Sequence, residues 1–296
     1  MSETPSNPQL VLSHPCQLGE GPVWDENTQT LYWVDILAGT IHSWNSVTHQ
    51  HMHWETKDLI GAVAVCTDGR LLAALQNGLL IFNQETGEKQ WLSGPEPNQP
   101  SNRFNDGKCD PKGRFWIGSM CVHETTGAGS LYQFTLAGGL QQKIPGITIS
   151  NGLAWSLDHR TMYFIDTPTY EVWAFDFDLE TGSIGNKRVV ITIPQSEGYP
   201  DGMTIDSEGM LWIAHWDGWQ VARWDPNTGN KLHSIHLPVA RVTSCCFGGR
   251  DWNDLYITTA GTGLSAEAHQ EQPLAGCLFV VKNSGYKGFA FTPFQV

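Results

Sequence analysis

Three stretches of the sequence place an asparagine or aspartate just before a glycine and a strand-like apolar run. They are NRFNDGK (102–108), SNGLAW (150–155) and YPDGMTI (199–205). Taken singly, Asn-Gly and Asp-Gly are typical of tight hairpin turns, because these residue types tolerate positive φ. Amide and carboxylate oxygens are also the ligands that hard divalent cations prefer. The stretches are therefore either three turns or one structural position used repeatedly for metal chemistry.

The elements that must position these residues are short alternating runs, rich in β-branched and aromatic side chains and bounded by Gly, Pro, Asp or Asn. Such runs are typical of β-strands, and no long segment has the i, i+3, i+4 apolar spacing of a helix. Six of them recur along the chain: TLYWVDI, RLLAALQ, RFWIGSM, TMYFIDT, MLWIAHW and DLYITTA. The sequence therefore predicts an all-β protein.

These runs belong to a repeat of about 41 to 50 residues, whose clearest anchors are the turns DPKGRFW (110–116) and DSEGMLW (206–212). The six units begin near residues 20, 61, 105, 151, 201 and 243. A period of this size with four short strands in each unit predicts a single six-bladed β-propeller with antiparallel blades around a central channel, over residues 1–296. A β-sandwich does not account for a repeat over the whole length.

The two ends of the chain are expected to meet in the last blade. Residues 1–13 form an N-terminal segment, and QLVLSH (9–14) is predicted to add a strand to the blade built from the C-terminal part. Closure of this kind removes the exposed edges of an open stack.

The repeat places the candidate residues at one position. Counting back five residues from the shared turn reaches an oxygen-bearing side chain in four of the six units: Glu20, Asn105, Asn151 and Asp201. The second unit has Gly61 there, and the sixth has Val242 or Thr243. Equivalent positions on the innermost strands form a ring around the axis, and buried carboxylates are costly without a partner. The ring is therefore predicted to hold a hard cation such as Ca²⁺, Mg²⁺ or Mn²⁺, with Zn²⁺ as an alternative.

Composition and charge limit the classes of partner. The formal net charge of −13 argues against nucleic acid and anionic membrane surfaces. No stretch approaches the roughly 20 apolar residues that span a bilayer, and MSETPSNPQLVLSHP (1–15) has neither the basic nor the apolar region of a secretory signal. Seven cysteines without CxxC spacing suit reduced thiols. We therefore expect a cytoplasmic protein, and a monomer because a closed propeller has no mandatory partner edge.

The motifs LGEGPVW, NRFNDGK, SNGLAWSLD, YPDGM and SCCFGG resemble, in order and spacing, those of the senescence marker protein/gluconolactonase/luciferin-regenerating (regucalcin-like) family. The resemblance runs from about residue 14 to about residue 290. It implies one divalent metal ion in the axial channel of a six-bladed propeller. It also implies hydrolysis of a sugar lactone, an aldonolactone such as gluconolactone, to the aldonic acid. Calcium is the favoured ion, with Zn²⁺, Mn²⁺ and Mg²⁺ as alternatives.

The resemblance also implies roles for individual residues. The family's metal ligands fall on three members of the proposed ring: Glu20, Asn151 and Asp201. Arg103 matches a residue that binds substrate hydroxyls, Asn105 one that lies near the metal or the substrate, and Glu124 an acidic residue that contacts the sugar. In the implied reaction the metal polarises the lactone carbonyl, and Asp201 is both a ligand and the general base toward the attacking water.

Two other functions stay open. Hydrolysis of phosphotriesters, as in related metal propellers, requires a pocket more apolar than Arg103 and Glu124 suggest. A non-catalytic calcium-binding propeller requires no sugar-contacting polar groups in its channel.

Three further features lie outside the implied set of site residues. His215 and Trp216 either wall the substrate pocket or contribute to packing. Strand alternation is expected to turn Asp106 into the blade, as a structural hydrogen-bond acceptor. HQHMHW (49–54) resembles a His-rich metal tract, but its place between the first and second units, far from the axis, predicts a solvated loop.

Overall fold

The computed structural model describes residues 7–94, 96 and 99–296. In these ranges the chain forms six four-stranded antiparallel sheets, so the prediction of a six-bladed β-propeller is confirmed. The innermost strands of successive sheets contact one another in a closed cycle, and they surround the central axis. Residues 1–6, part of the expected N-terminal segment, lie outside the described ranges.

In the first five blades the strands follow chain order from the axis outward. One strand, β1 (Gln9–Leu12), precedes them. The first blade contains β2 (Gly19–Asp25), β3 (Thr30–Asp35), β4 (Thr40–Asn45) and β5 (His51–Glu55). The second contains β6 (Ile60–Val65), β7 (Leu71–Leu75), β8 (Gly78–Phe82) and β9 (Lys89–Ser93). The third contains β10 (Asn102–Cys109), β11 (Phe115–Cys121), β12 (Gly129–Thr135) and β13 (Gly139–Ile147).

The fourth and fifth blades have the same plan. The fourth contains β14 (Ser150–Trp155), β15 (Thr161–Asp166), β16 (Glu171–Phe177) and β17 (Ile184–Thr192). The fifth contains β18 (Tyr199–Ile205), β19 (Leu211–Trp216), β20 (Gln220–Trp224) and β21 (Lys231–His236). Short 3₁₀ turns at Thr167–Thr169 and Gln195–Glu197 precede β16 and β18.

The sixth blade combines both ends of the chain. It contains β22 (Val242–Gly248), β23 (Asp254–Thr259) and β24 (Leu278–Val281), and β1 pairs with β24 as its outermost strand. The closing strand lies within QLVLSH, where the sequence placed it. A short helix, α1 (Ala266–Glu271), connects β23 to β24.

A buried aspartate holds the turn that defines the repeat. In the third blade Asp110 Oδ1 accepts hydrogen bonds from the backbone amides of Lys112 (2.9 Å) and Arg114 (3.1 Å). Its Oδ2 accepts from Trp116 Nε1 (3.0 Å) and from Arg114 Nε (2.6 Å). Asp206 makes the equivalent backbone and indole contacts in the fifth blade. The Asp-x-x-Gly-x-x-Trp pattern therefore encodes a turn closed by a carboxylate and fastened to a core indole.

Each innermost strand has a break in register at the same level. The breaks lie between Glu20 and Val23, Ile60 and Ala62, Phe104 and Gly107, Asn151 and Leu153, Pro200 and Met203, and Val242 and Ser244. Such bulges bend a strand and re-aim a side chain. The Asn-Gly and Asp-Gly pairs thus lie inside strands, and the hairpin interpretation is wrong.

The second blade contributes no side chain to the ring because the neighbouring strand lies too close. A Cβ built on Gly61 would lie 2.5 Å from backbone atoms of Phe104 and Asn105, well inside van der Waals contact. In the sixth blade the bulge falls at Thr243, whose hydroxyl donates to the Gly19 carbonyl (2.5 Å) in the first blade. These two ring positions serve the packing of blade against blade.

The tract HQHMHW is not the loop that the sequence predicted. His51 and His53 belong to β5, the outermost strand of the first blade, and His53 pairs directly with His42 of β4. The prediction failed because an outermost strand is partly exposed and can therefore carry polar side chains without the alternation of a half-buried strand.

Two expectations from composition can be compared with the fold. All seven cysteines are buried free thiols, as expected for reduced cysteines. Across the described ranges every helix is too short to span a bilayer.

The last ten residues, 287–296, which we term the C-terminal segment, lie across the end of the channel where the inner strands finish. The backbone amide of Ser207, in the fifth blade, donates to Lys287 O (2.7 Å), and that of Phe294 donates to Val65 O (2.9 Å) in the second blade. The Phe294 ring is 1% exposed and stacks on Phe134 of the third blade, with ring centroids 5.8 Å apart. The segment thus fastens three blades to one another.

Candidate metal and substrate site

A cavity of about 460 Å³ opens at the other end of the channel, where the inner strands begin. The structure brings every candidate residue from the sequence to this cavity: Glu20, Arg103, Asn105, Glu124, Asn151 and Asp201. All except Glu124 are buried, each 9% exposed or less. Their placement agrees with the proposed ring, while their roles as ligands, base and substrate contacts stay predictions.

A chain of hydrogen bonds fixes the orientation of the two ring amides. Arg103 Nη1 donates to Asn105 Oδ1 (2.6 Å), and Asn105 Nδ2 donates to Asn151 Oδ1 (3.0 Å). Asn151 Nδ2 donates to Thr167 Oγ1 (2.8 Å), whose own proton goes to the Pro200 carbonyl (2.8 Å). Because the Thr167 hydroxyl already donates to a carbonyl, it can only accept from Asn151. The Asn151 amide is therefore held with its oxygen toward Asn105.

Thr167 is a residue that sequence reasoning missed. It lies in the 3₁₀ turn after β15, outside the repeat position that identified the ring. Nothing in its neighbours, an aspartate and a proline, distinguishes it from any turn threonine, so a single sequence carries no signal for it.

Two carboxyl groups meet in the ring. Those of Glu20 and Asp201 lie within hydrogen-bond distance of each other, and Glu20 Oε2 also accepts from the Gly21 amide (2.9 Å). Burial raises the pKa of both carboxyls, and the negative charge of Asp106 raises both further. Glu20 also raises the pKa of Asp201, whereas the hydrogen bond with Asp201 lowers that of Glu20. Burial also lowers the pKa of Arg103, to about 10, against the attraction of nearby carboxylates, so Arg103 stays positive at neutral pH.

This donor set fits a hard divalent cation. It offers two buried carboxyl groups whose pKa values are raised, so that a bound cation would favour their ionised form. It also offers an amide oxygen, that of Asn151, held in a fixed orientation. Among the residues that the structure describes, no group of three or more His, Cys, Asp or Glu is placed to hold a metal. A site here therefore depends on the amide oxygen of Asn151 as well as on Glu20 and Asp201, which is chemistry that suits calcium better than zinc.

Asp106 does not point into its blade as strand alternation predicted. It lines a second cavity, on the axis beyond the ring, together with Lys108 and Ser244, and its charge acts on Glu20 and Asp201. The bulge between Phe104 and Gly107 breaks the alternation, so Asn105 and Asp106 both face the channel. Lys108 Nζ donates to the Met203 carbonyl (2.6 Å) and attracts Asp106.

With this geometry in hand, comparison with known proteins decides the family. The sequence model of the SMP-30/gluconolactonase/LRE-like region matches residues 18–261. The chain belongs to this family. The resemblance inferred from the motifs is thereby confirmed.

Individual relatives extend over nearly the whole chain. Regucalcin from Danio rerio is 41% identical over 283 residues, covering 95% of each protein. A solved luciferin-regenerating enzyme is 32% identical with a TM-score of 0.92, covering 99% of this chain and 100% of that one. The calcium-binding protein regucalcin from Agrobacterium tumefaciens is 30% identical with a TM-score of 0.92, covering 98% of this chain and 97% of that one.

In this SMP-30/gluconolactonase/LRE-like protein two aromatic side chains wall the cavity. Tyr199 packs against Tyr170 with ring centroids 4.9 Å apart and ring planes tilted by 33°, and the Arg241 guanidinium lies over Trp216, 4.8 Å from its ring centroid. Each ring is thus held in place by a neighbouring side chain. Trp216 takes the first of the two roles that the sequence left open, as a wall of the cavity.

His215 takes the other role, in packing. It is fully buried, its Nδ1 contacts the Glu197 carbonyl (2.9 Å), and its ring stacks on Trp224. Burial lowers the pKa of His215 to about 4, so it is neutral in the folded protein at physiological pH.

The fold should therefore lose stability as His215 is forced to take a proton. Because its folded pKa lies below the ordinary value of about 6.5, the unfolded chain binds more protons as the pH falls from about 6.5 to about 4. His215→Asn, which keeps a donor for the Glu197 carbonyl, should reduce the acid-dependent loss in the free energy of unfolding by up to about 3 kcal/mol over this range. Urea unfolding at pH 6.5 and pH 4.5 measures the difference. His269→Asn, an exposed site on α1, is the control, and an equal slope in the two variants would contradict the assignment.

Proposed function

We propose that this protein hydrolyses a sugar lactone of the aldonolactone class, gluconolactone among them, with the help of one divalent cation. The observation that carries the proposal is the convergence on one cavity of a cation-type donor set and of Arg103 and Glu124, which suit sugar hydroxyls. Membership of a family named for gluconolactonase supports it. A propeller that only binds calcium has no need of these polar groups beside its ligands.

Glu20, Asn151 and Asp201 would hold the cation. The donors are all oxygens, which favours Ca²⁺, Mg²⁺ or Mn²⁺, and the description of the Agrobacterium relative as calcium-binding favours Ca²⁺. When bound, such a cation supplies Lewis-acid polarisation of the lactone carbonyl.

The chain's own residues supply the rest of the chemistry. Asp201 accepts a proton from the water whose oxygen attacks the carbonyl carbon, since a carboxylate at hydrogen-bond distance can act as a general base. The ring C–O bond then breaks, and the departing oxygen takes from Asp201 the proton that came from the water, so that it leaves as a hydroxyl and Asp201 is regenerated. A lactone is an activated ester, so this sequence requires no nucleophilic side chain.

Arg103 and Glu124 orient the sugar. The hydrogen bonds of the Arg103 side chain to Asn105 and to the Phe104 carbonyl both come from Nη1, which leaves the donors of Nη2 for substrate hydroxyls. Arg103 has the fixed fork geometry that distinguishes a guanidinium from an ammonium. Glu124, exposed at a left-handed φ of 52°, accepts from hydroxyls at the cavity mouth. The flat faces of Tyr199 and Trp216 complement the apolar face of a sugar ring.

A lactone panel with metal replacement tests the function. Chelated protein receives Ca²⁺, Mg²⁺, Mn²⁺ or Zn²⁺, and a pH indicator follows hydrolysis of glucono-, xylono-, arabinono- and galactonolactone. We expect at least one lactone to be hydrolysed only after a cation is restored. No hydrolysis of any lactone would favour a calcium-binding propeller, and turnover of an organophosphate alone would favour a phosphotriesterase.

Thr167 should position the metal ligand Asn151. Thr167→Val removes the acceptor that holds Asn151 Nδ2, and it should weaken Ca²⁺ binding about 10- to 100-fold, the usual cost of losing a residue that orients a ligand. Thr167→Ser keeps the hydroxyl and should bind normally. Calorimetric titration with Ca²⁺ measures the affinity. A lower melting temperature with unchanged affinity would show that Thr167 contributes to stability alone.

A further inference from the structure

Four histidines form a second cluster of chemistry-bearing groups, remote from the axis, which we term the imidazole cluster: His14, His42, His51 and His53. His42 and His53 are directly paired across β4 and β5, and His51 lies on the same face of β5 two residues away. His14 reaches them from the segment that follows β1. The cluster therefore joins the end of the chain that closes the ring to the first blade.

The four rings are arranged almost as the corners of a tetrahedron. Ring centroids in all six pairs are 5.0 to 6.0 Å apart. His42 Nδ1 and His51 Nε2 lie 3.1 Å from each other, close to the roughly 3.3 Å that separates two nitrogens bound to one zinc ion at about 2.0 Å in a tetrahedral site. The separation of these two nitrogens therefore suits a shared metal ion.

The remaining two ligands must rotate into place. As the side chains lie, no three His, Cys, Asp or Glu in the described ranges already surround one point that a metal could occupy. His14 and His53 are both exposed, and exposed side chains change rotamer within nanoseconds. Closure thus requires two free rings to turn and the hydrogen bond between His42 and His51 to open.

Two histidines of the cluster are also in the protonation state that binds metals. Burial and the neighbouring imidazoles lower the pKa of His42 to about 3 and that of His51 to about 4, so both are neutral at pH 7, the form that binds metals. Cys16 lies 3.9 Å from His42 Nε2, but burial raises the pKa of its thiol to about 12, so it does not compete as a thiolate. Trp33 stacks on His42 with ring centroids 5.0 Å apart and braces it.

We propose that the imidazole cluster binds one borderline transition-metal ion, such as Zn²⁺ or Cu²⁺, at a site separate from the axial ring. Imidazole nitrogen suits these ions, whereas the all-oxygen ring suits calcium. The bound ion cross-links the segment that follows β1 to the first blade, and it stabilises the closed ring because it binds the folded chain in preference to the unfolded one.

Titration of Zn²⁺ into the full chain with Ca²⁺ in excess tests this proposal. We expect one Zn²⁺ per chain by calorimetry and a higher melting temperature. His14→Gln/His53→Gln changes two exposed side chains, which preserves folding, and should weaken Zn²⁺ binding at least about 100-fold, given two lost ligands. His49→Gln/His236→Gln changes two exposed histidines outside the cluster and should bind Zn²⁺ as the unmodified chain does.

Cu²⁺ identifies the ligands independently of affinity. Its electron paramagnetic resonance spectrum should show hyperfine coupling to several nitrogens in the unmodified chain and lose it in His14→Gln/His53→Gln. Absence of Zn²⁺ binding with Ca²⁺ in excess, undiminished binding in that double variant, or a spectrum without nitrogen coupling would each overturn the proposal. None of these readouts depends on lactone hydrolysis. The outcome for the imidazole cluster is therefore independent of the outcome for the proposed function.

Discussion

Asp201→Asn is expected to lower lactone hydrolysis at least about 1000-fold and to abolish binding of the divalent cation. The change removes a charged ligand and the proposed general base at once, and general-base catalysis alone contributes about 10² to 10⁴. Asparagine has nearly the same shape as aspartate, so the loss reflects chemistry and not packing. Activity on glucono-1,5-lactone and calorimetric Ca²⁺ titration measure the two effects.

The same substitution should have the opposite effect on the metal-free fold. Glu20 and Asp201 are buried carboxyls in contact, and burial disfavours the ionised form of each. Replacing Asp201 with a neutral amide removes one of these two costs. In chelator, the free energy of urea unfolding of Asp201→Asn should therefore equal or exceed that of the unmodified chain. Asn151→Ala should also lose cation and activity while far-UV circular dichroism stays native. Hydrolysis that survives chelation and both substitutions would show that the mechanism is wrong.

Arg103→Met is expected to lower kcat/KM about 100-fold while the cation stays bound. Hydrogen bonds from a charged donor contribute roughly 1.5 to 3 kcal/mol each, and about 1.4 kcal/mol corresponds to a factor of ten. Methionine fills a similar volume and is easily buried. Steady-state kinetics on the best lactone of the panel, together with Ca²⁺ titration, measure the result.

Arg103→Lys is the matched control for charge. It keeps a positive group but loses the planar fork, so we expect it to recover only part of the lost activity. If either variant instead loses the cation, Arg103 acts mainly by holding Asn105, and through it Asn151, in the hydrogen-bond chain. The assignment to substrate binding would then be incorrect.

The sequence was sufficient to predict the fold and the ring because both depend on a repeated local pattern. Asp110 and Asp206 close the same turn through contacts with nearby residues, so the pattern is visible in the sequence. Once the turns are aligned, the ring position follows by counting. Glu20, Asn105, Asn151 and Asp201 could therefore be brought together without coordinates.

What the sequence could not predict depends on contacts between distant segments. The bulge that turns Asp106 toward the channel cannot be recognised from the sequence of one strand. Strand alternation therefore predicted the wrong orientation for Asp106. Thr167 can orient the Asn151 amide only because β14 and β18 place Asn151 and Pro200 beside it. The outer strand that carries His51 and His53 was mistaken for a loop because polarity alone does not distinguish exposed strands from loops.

The C-terminal segment has a consequence for the proposed reaction. Residues 287–296 lie across one end of the channel, and the cavity that contains the candidate residues opens at the other end. In the proposed reaction, the aldonate departs through the same mouth by which the next lactone arrives. Accumulated aldonate should consequently compete with incoming lactone, and dissociation of that anion past Glu124 and Tyr199 should be a step on which the overall rate of the proposed reaction depends.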